Sequence, residues 1–145
     1  MGLCVDIIAG VYLAVLGGCD IRWRKVPLHL LLAGGICTAM GIILLWNKGE
    51  YEWWWTITGV LPGVVLMVLS LLTGQVGGAD GIVVFQMGAI YGLYYTVSWM
   101  WVSMLFAAGV SIVLVILGKV NRKTRMPYLA FLALSFFFMR LGGRL

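Results

Sequence analysis

Long apolar runs separated by short polar punctuation set the pattern of this chain. The first run covers about Leu3 to Cys19 and ends at Asp20, where Arg22, Arg24 and Lys25 lead to Pro27. A proline there suits the first turn of a new helix, which does not need its N–H. The second run continues to about Trp46, and Asn47 to Glu52 form a polar loop. The third, about Trp53 to Thr73, opens on three tryptophans, an aromatic belt for a membrane–water boundary. It ends at Gly74-Gln75-Val76-Gly77-Gly78-Ala79-Asp80-Gly81, a glycine-dense break carrying one carboxylate. Ile82 to Gly118 is a run of 37 uncharged residues, too long for one crossing and enough for two short ones. Tyr91, Tyr94, Tyr95, Trp99 and Trp101 cluster in its middle and place a tight turn near Thr96 to Ser98. After a basic loop from Lys119 to Arg125, Met126-Pro127 opens a last run ending near Arg140. At roughly 20 apolar residues per crossing, the pattern predicts an all-α polytopic membrane bundle of about six helices. It forms a single domain over residues 1–145.

Composition agrees with the pattern. At 63% hydrophobic and 10% charged, the chain lacks the polar surface that a soluble core requires. The net charge of +5 acts mainly as a topology signal, because seven of the ten basic residues fall in the two short basic loops. The positive-inside rule turns both loops to the cytoplasm. Counting crossings then puts both termini on the non-cytoplasmic side, and Asp20 and Asp80 on the cytoplasmic side, each within a turn of a helix end. Such short loops offer little surface to nucleic acid, so lipid headgroups are the expected contact. Cys4, Cys19 and Cys37 have no CxxC spacing and are expected to be buried, inert thiols. Leu16-Gly17-Gly18-Cys19 resembles a lipoprotein cleavage box, but no basic stretch precedes it, so the first run is expected to stay as an uncleaved span. His29 stands alone at headgroup depth, an interfacial histidine with no partners for a metal.

The carboxylates carry the candidate chemistry, since an ionisable group at membrane depth is costly and points to function. Asp6 lies about 21 Å from Asp20 along one helix, too far for a shared site, and is expected to snorkel at the interface. Glu50 and Glu52 sit in the loop at the opposite face. That leaves Asp20 and Asp80. Two carboxylates held close together share a proton more cheaply than they carry two charges. The charged member can take a proton from water while the neutral member donates to a carbonyl oxygen. No HExxH, no Ser or Cys with a histidine partner, and no phosphate-binding glycine loop competes with this chemistry. Two alternatives remain open at this point. Each aspartate can merely cap a helix or pair with Arg22 or Lys25. The pair can also belong to a small proton or cation transporter, for which Asp6, Gln86 and scattered Ser/Thr are the other polar groups. Gly59, Gly63, Gly88 and Gly92 read as small-residue helix contacts, with Pro62 as a kink.

At these residues the chain resembles the prepilin peptidases, membrane aspartyl proteases related to preflagellin peptidases. That family's first motif is an Asp, a basic residue two on, and Ile/Val-Pro-Asn ending just beyond the seventh position; here it reads Asp20-Ile21-Arg22-Trp23-Arg24-Lys25-Val26-Pro27-Leu28. Its GxGD motif reads Gly77-Gly78-Ala79-Asp80. Met87-Gly88-Ala89-Ile90-Tyr91-Gly92 and Met126-Pro127-Tyr128-Leu129-Ala130 resemble later family segments. The expected Asn is Leu28, and the Lys common two residues after the second Asp is Ile82. The resemblance implies Asp20 and Asp80 as catalytic residues, supported by Arg22, Pro27, Gly77, Gly78 and Ala79, with no metal and no cofactor. It further implies a short-form, multi-pass enzyme of a prokaryotic inner membrane that cuts the basic leader of a type IV prepilin-like protein. Its partners are that substrate and the lipid bilayer, not nucleic acid. An inactive scaffold of the same fold is the remaining possibility within the family.

Overall fold

Nearly every residue type in the apolar runs favours helix in a setting without water, where backbone groups must bond within their own segment. The computed structural model is accordingly helical, and it describes residues 3–23, 26–47, 49, 52–74, 77–118 and 128–142. Five helical elements follow in order: α1 (Leu3–Trp23), α2 (Leu28–Asn47), α3 (Trp53–Thr73), α4 (Gly78–Ile116) and α5 (Tyr128–Gly142). The first four are long and apolar enough to cross a membrane. At 15 residues α5 is shorter, about 22 Å as a straight helix.

α1 continues one turn past the expected end, so Asp20 lies inside its last turn. Pro27 precedes α2 instead of opening it, and its carbonyl accepts the Leu30 N–H at 3.0 Å. The third element has the expected bounds. Its C-terminus is closed by Gly74 in the left-handed region (φ 61°), whose N–H donates to Ser70 O. Both basic loops fall wholly or partly outside the described residues: Arg24, Lys25 and all of Lys119 to Pro127 are not described.

The long uncharged run does divide, but not where the aromatic cluster suggested. Thr96 to Ser98 are helical, and the break is at Gly92, with φ 79° and ψ 174°. Gly92 was expected to be a packing contact. It does lie against Gly59, and it is also the hinge, because only a residue without Cβ takes that conformation cheaply. The two limbs, 78–91 and 93–116, pack on the same helix. The first runs antiparallel to α3, with Gly81 at Met67, Phe85 at Gly63 and Gly88 at Gly59. The second runs back alongside it, so that Val97, Met100 and Met104 face Leu61, Pro62 and Leu66 across an apolar cleft of about 450 Å3. The chain thus reverses at Gly92, beside Trp55.

Helices in lipid gain little from apolar burial alone and associate where their backbones approach closely. Gly59 and Gly88 supply that approach, since a Cβ on either would run into the other's carbonyl oxygen. Thr56 Oγ1 closes the seam by donating to Ala89 O at 2.9 Å. The most deeply buried side chains come from α1 (Leu13, Leu16), both limbs of α4 (Val83, Val84, Trp99) and α5 (Leu129, Leu132, Phe136). α5 packs against both α1 and the α4 hairpin, while α2 and α3 turn most of their surface outward. Cys4 and Cys37 are exposed and Cys19 is half-buried, all three as free thiols, which corrects the expectation of burial.

Candidate functional site

The fold gathers its polar groups at two opposite ends of the bundle. At one end stand the C-terminal turn of α1, the first turn of α4 and the first turn of α5. Asp20 comes from α1 and Asp80 from α4, and the two carboxylates are close enough to act on each other by direct charge–charge interaction. α5 completes the group. The Leu129 N–H donates to Asp20 Oδ2 at 3.2 Å, and Tyr128 lies within electrostatic range of Asp80. Tyr128 Oη is 2.9 Å from Oγ of Ser103, a fully buried residue of the second α4 limb.

Local sequence explains this placement. Asp80 is the third residue of α4, in a first turn whose free N–H groups favour an anion. Its N–H donates to Gly77 O at 3.0 Å, and a Cβ on Gly77 would come within 2.8 Å of Asp80 Oδ2. A side chain at Gly77 would therefore have to displace the Asp80 carboxylate from its present place. Gly78 has only an ordinary van der Waals neighbour, Ser70 Oγ at 3.6 Å, and Ala79 packs against the core. Arg22 is exposed and its guanidinium lies 5.6 Å from the centre of the Trp23 ring, not on Asp20. Lys25 lies outside the described residues, so only the Arg22 half of the ion-pair alternative is answered. The capping alternative is met in an unexpected form: Asp20 serves the start of α5, a helix more than a hundred positions away in sequence. Serving a helix start does not remove a carboxylate from chemistry.

At the other end Asp6 is not a free interfacial carboxylate, contrary to expectation. Its Oδ1 accepts from Arg140 Nη2 at 2.5 Å and from Tyr91 Oη at 3.0 Å. The Arg140 guanidinium lies over Tyr91, Tyr95 and Phe136 at 5.0, 5.3 and 5.8 Å from their ring centres. The reason is cost: an acid and a base both placed in apolar helices are cheaper paired than apart. Arg140, near the end of the last run as Asp6 is near the start of the first, was the signal that sequence reading passed over. Between the ends, Gln86 is also satisfied, accepting from Tyr12 Oη and donating to Leu31 O, both at 2.8 Å. His29 and Glu52 are exposed.

No protein-family model, curated protein or solved structure matches this chain.

Proposed function

We propose that the chain is a membrane aspartyl endopeptidase of the prepilin-peptidase type, cleaving the basic leader of a type IV prepilin-like protein. The observation that supports this best is that Asp20 and Asp80, from separate helices, stand at the same end of an apolar bundle within electrostatic range of each other. One carboxylate is ionised and takes a proton from a water between them. The oxygen of that water bonds to the scissile carbonyl carbon, and the carbonyl oxygen takes the proton of the other carboxylic acid. Collapse of the tetrahedral intermediate returns that proton, breaks the C–N bond and passes the first proton to the leaving amine. Water is the only co-reactant.

The α4 hairpin and α5 bring the four long helices to six crossings, with both termini on the non-cytoplasmic side of a prokaryotic inner membrane. A leader's basic residues then stay in the cytoplasm while the pilin helix lies in the bilayer, and the scissile bond falls at the depth of the carboxylate pair. A transporter reading loses its intermediate steps, because Asp6 and Gln86 are engaged with Arg140, Tyr91, Tyr12 and Leu31.

The deciding experiment incubates purified protein in detergent with a prepilin and compares Asp20→Asn and Asp80→Asn. Each change is nearly isosteric and should leave insertion and folding intact. General acid–base groups contribute on the order of 10²–10⁴ in rate, so each variant should lose at least about a hundredfold in cleavage. Wild-type rates in both variants would overturn the assignment. A non-catalytic scaffold of the same architecture, which Leu28 and Ile82 favour, inserts normally and cuts nothing.

A further inference from the structure

The start of α5 does more than close the bundle. Ser103 Oγ donates its single proton to Met100 O at 2.8 Å, so in its 2.9 Å contact with Tyr128 the tyrosine hydroxyl is the donor. Trp99 Nε1 donates to Leu132 O at 2.9 Å, one turn further along α5. The first two turns of α5 are therefore tied, one point each, to the second limb of α4. Between those ties, the Leu129 N–H is one of the donors that a helix start leaves unused, and it is directed at Asp20. Such an N–H bonds a carboxylate more strongly than a neutral acid. Asp80 stands in the first turn of its own helix and Asp20 faces the first turn of α5, but among the described residues only Asp20 accepts a hydrogen bond from such a turn. Among the described residues, the groups facing Asp20 are Asp80 from α4 and the Leu129 N–H from α5, those facing Asp80 are Asp20 and Tyr128, and Arg22 is turned onto Trp23.

We propose that Tyr128 is a positioning residue that makes the two carboxylates unequal. Its hydroxyl, seated on Ser103, holds the first turn of α5 so that the Leu129 N–H stays on Asp20. Asp20 is then the member that receives the proton of the attacking water, and Asp80 the member that lends a proton to the carbonyl oxygen. This rests on the two-carboxylate reading above.

The test has an arm that needs no substrate. Protein in lipid nanodiscs is treated with dicyclohexylcarbodiimide, which adds to protonated carboxyl groups in apolar surroundings, and the adducts are located by mass spectrometry. Asp80 should label in preference to Asp20, and Tyr128→Phe, which removes only the hydroxyl, should raise the Asp20 share about tenfold, the scale of a lost hydrogen bond to a charged group. Ser103→Ala should act in the same direction and stands in if the tyrosine variant does not fold. Equal labelling in the wild type, a preference for Asp20, or a ratio unmoved in both variants would overturn the inference. In the cleavage arm Tyr128→Phe should lower kcat about tenfold with KM within about twofold. A purely structural role would lower the amount of folded protein and leave both kcat per folded molecule and the labelling ratio unchanged. If the wild type cuts no prepilin, the proteolytic reading fails by itself, and the labelling ratio still decides the role of Tyr128.

Discussion

Replacing Gly88 with alanine tests what holds the bundle together. Between helices in lipid there is little hydrophobic drive, so the α3–α4 seam depends on contact itself. A Cβ at Gly88 is driven into Gly59 O, and the Gly59 carbonyl carbon lies only 2.7 Å away. The obstacle is backbone, which cannot rotate aside like a side chain. The helices must part by roughly an ångström, and Phe85 on Gly63 and Met67 on Gly81 loosen with them. Overpacking of this kind costs about 1–3 kcal/mol. Alanine in place of glycine within a helix returns about 1 kcal/mol, leaving a net loss of up to about 2 kcal/mol, and the clash with backbone places Gly88 at the upper end. Gly18 and Gly109 provide the contrast, because a Cβ at either meets no atom within 4 Å. There the same substitution should stabilise by about 0.5–1 kcal/mol, from the unfolded-chain entropy alone. The assay is reversible unfolding in mixed micelles of rising dodecyl sulfate fraction, followed by tryptophan fluorescence. Opposite signs at Gly88 and at the two open sites support the seam. A Gly88→Ala protein as stable as the wild type, or equal losses at all three positions, would refute the reasoning.

Other substitutions probe the hinge and the far cluster. Gly92→Ala should cost about 1–2 kcal/mol by the same assay, because a Cβ is disfavoured at φ 79°. The Trp55 ring, 2.8 Å from that Cβ, should report the change as altered emission. Among the described residues, Arg140→Met leaves Asp6 with only the Tyr91 hydroxyl; with side-chain exposures of 31% and 15% for the pair, the loss should be about 1–3 kcal/mol, below that of a fully buried pair. Adding Asp6→Asn should recover part of it, since no charge is then left unpaired, and a double-mutant cycle measures the coupling. Strict additivity would mean that the two groups do not interact.

Most of the scaffold is written in the sequence at the level of single residues. Run length and tryptophan placement give α3 its bounds, and Gly59 and Gly63 announce a close helix contact that their neighbours Gly88 and Phe85 then supply. The hinge was missed because aromatic residues mark an interface depth only loosely, whereas Gly92 marks a backbone conformation; with another glycine four residues before it, the same residue also looks like a packing motif. Asp20 and Asp80 could be singled out as costly charges in apolar surroundings. Their neighbours could not, because Tyr128, Ser103 and the Leu129 N–H come from ordinary apolar helix sequence and acquire a role only through tertiary placement. Asp6 was misjudged for a related reason: its partner Arg140 lies at the far end of the chain, and periodicity within one helix carries no information about a contact of that range.

The two polar clusters are linked by the same pair of helices. α1 carries Asp6 near its start and Asp20 in its last turn, and α5 carries the Leu129 N–H near its start and Arg140 in its last turn. Antiparallel helices joined in this way are fixed in register at both ends, so neither can slide by a turn without breaking a charged contact. Between the joints, Phe136 of α5 packs edge-on against Tyr91, Tyr95 and Trp99, which span the Gly92 hinge. The Asp6–Arg140 pair at one end and the Leu129–Asp20 contact at the other therefore agree on one register of α5 along α1.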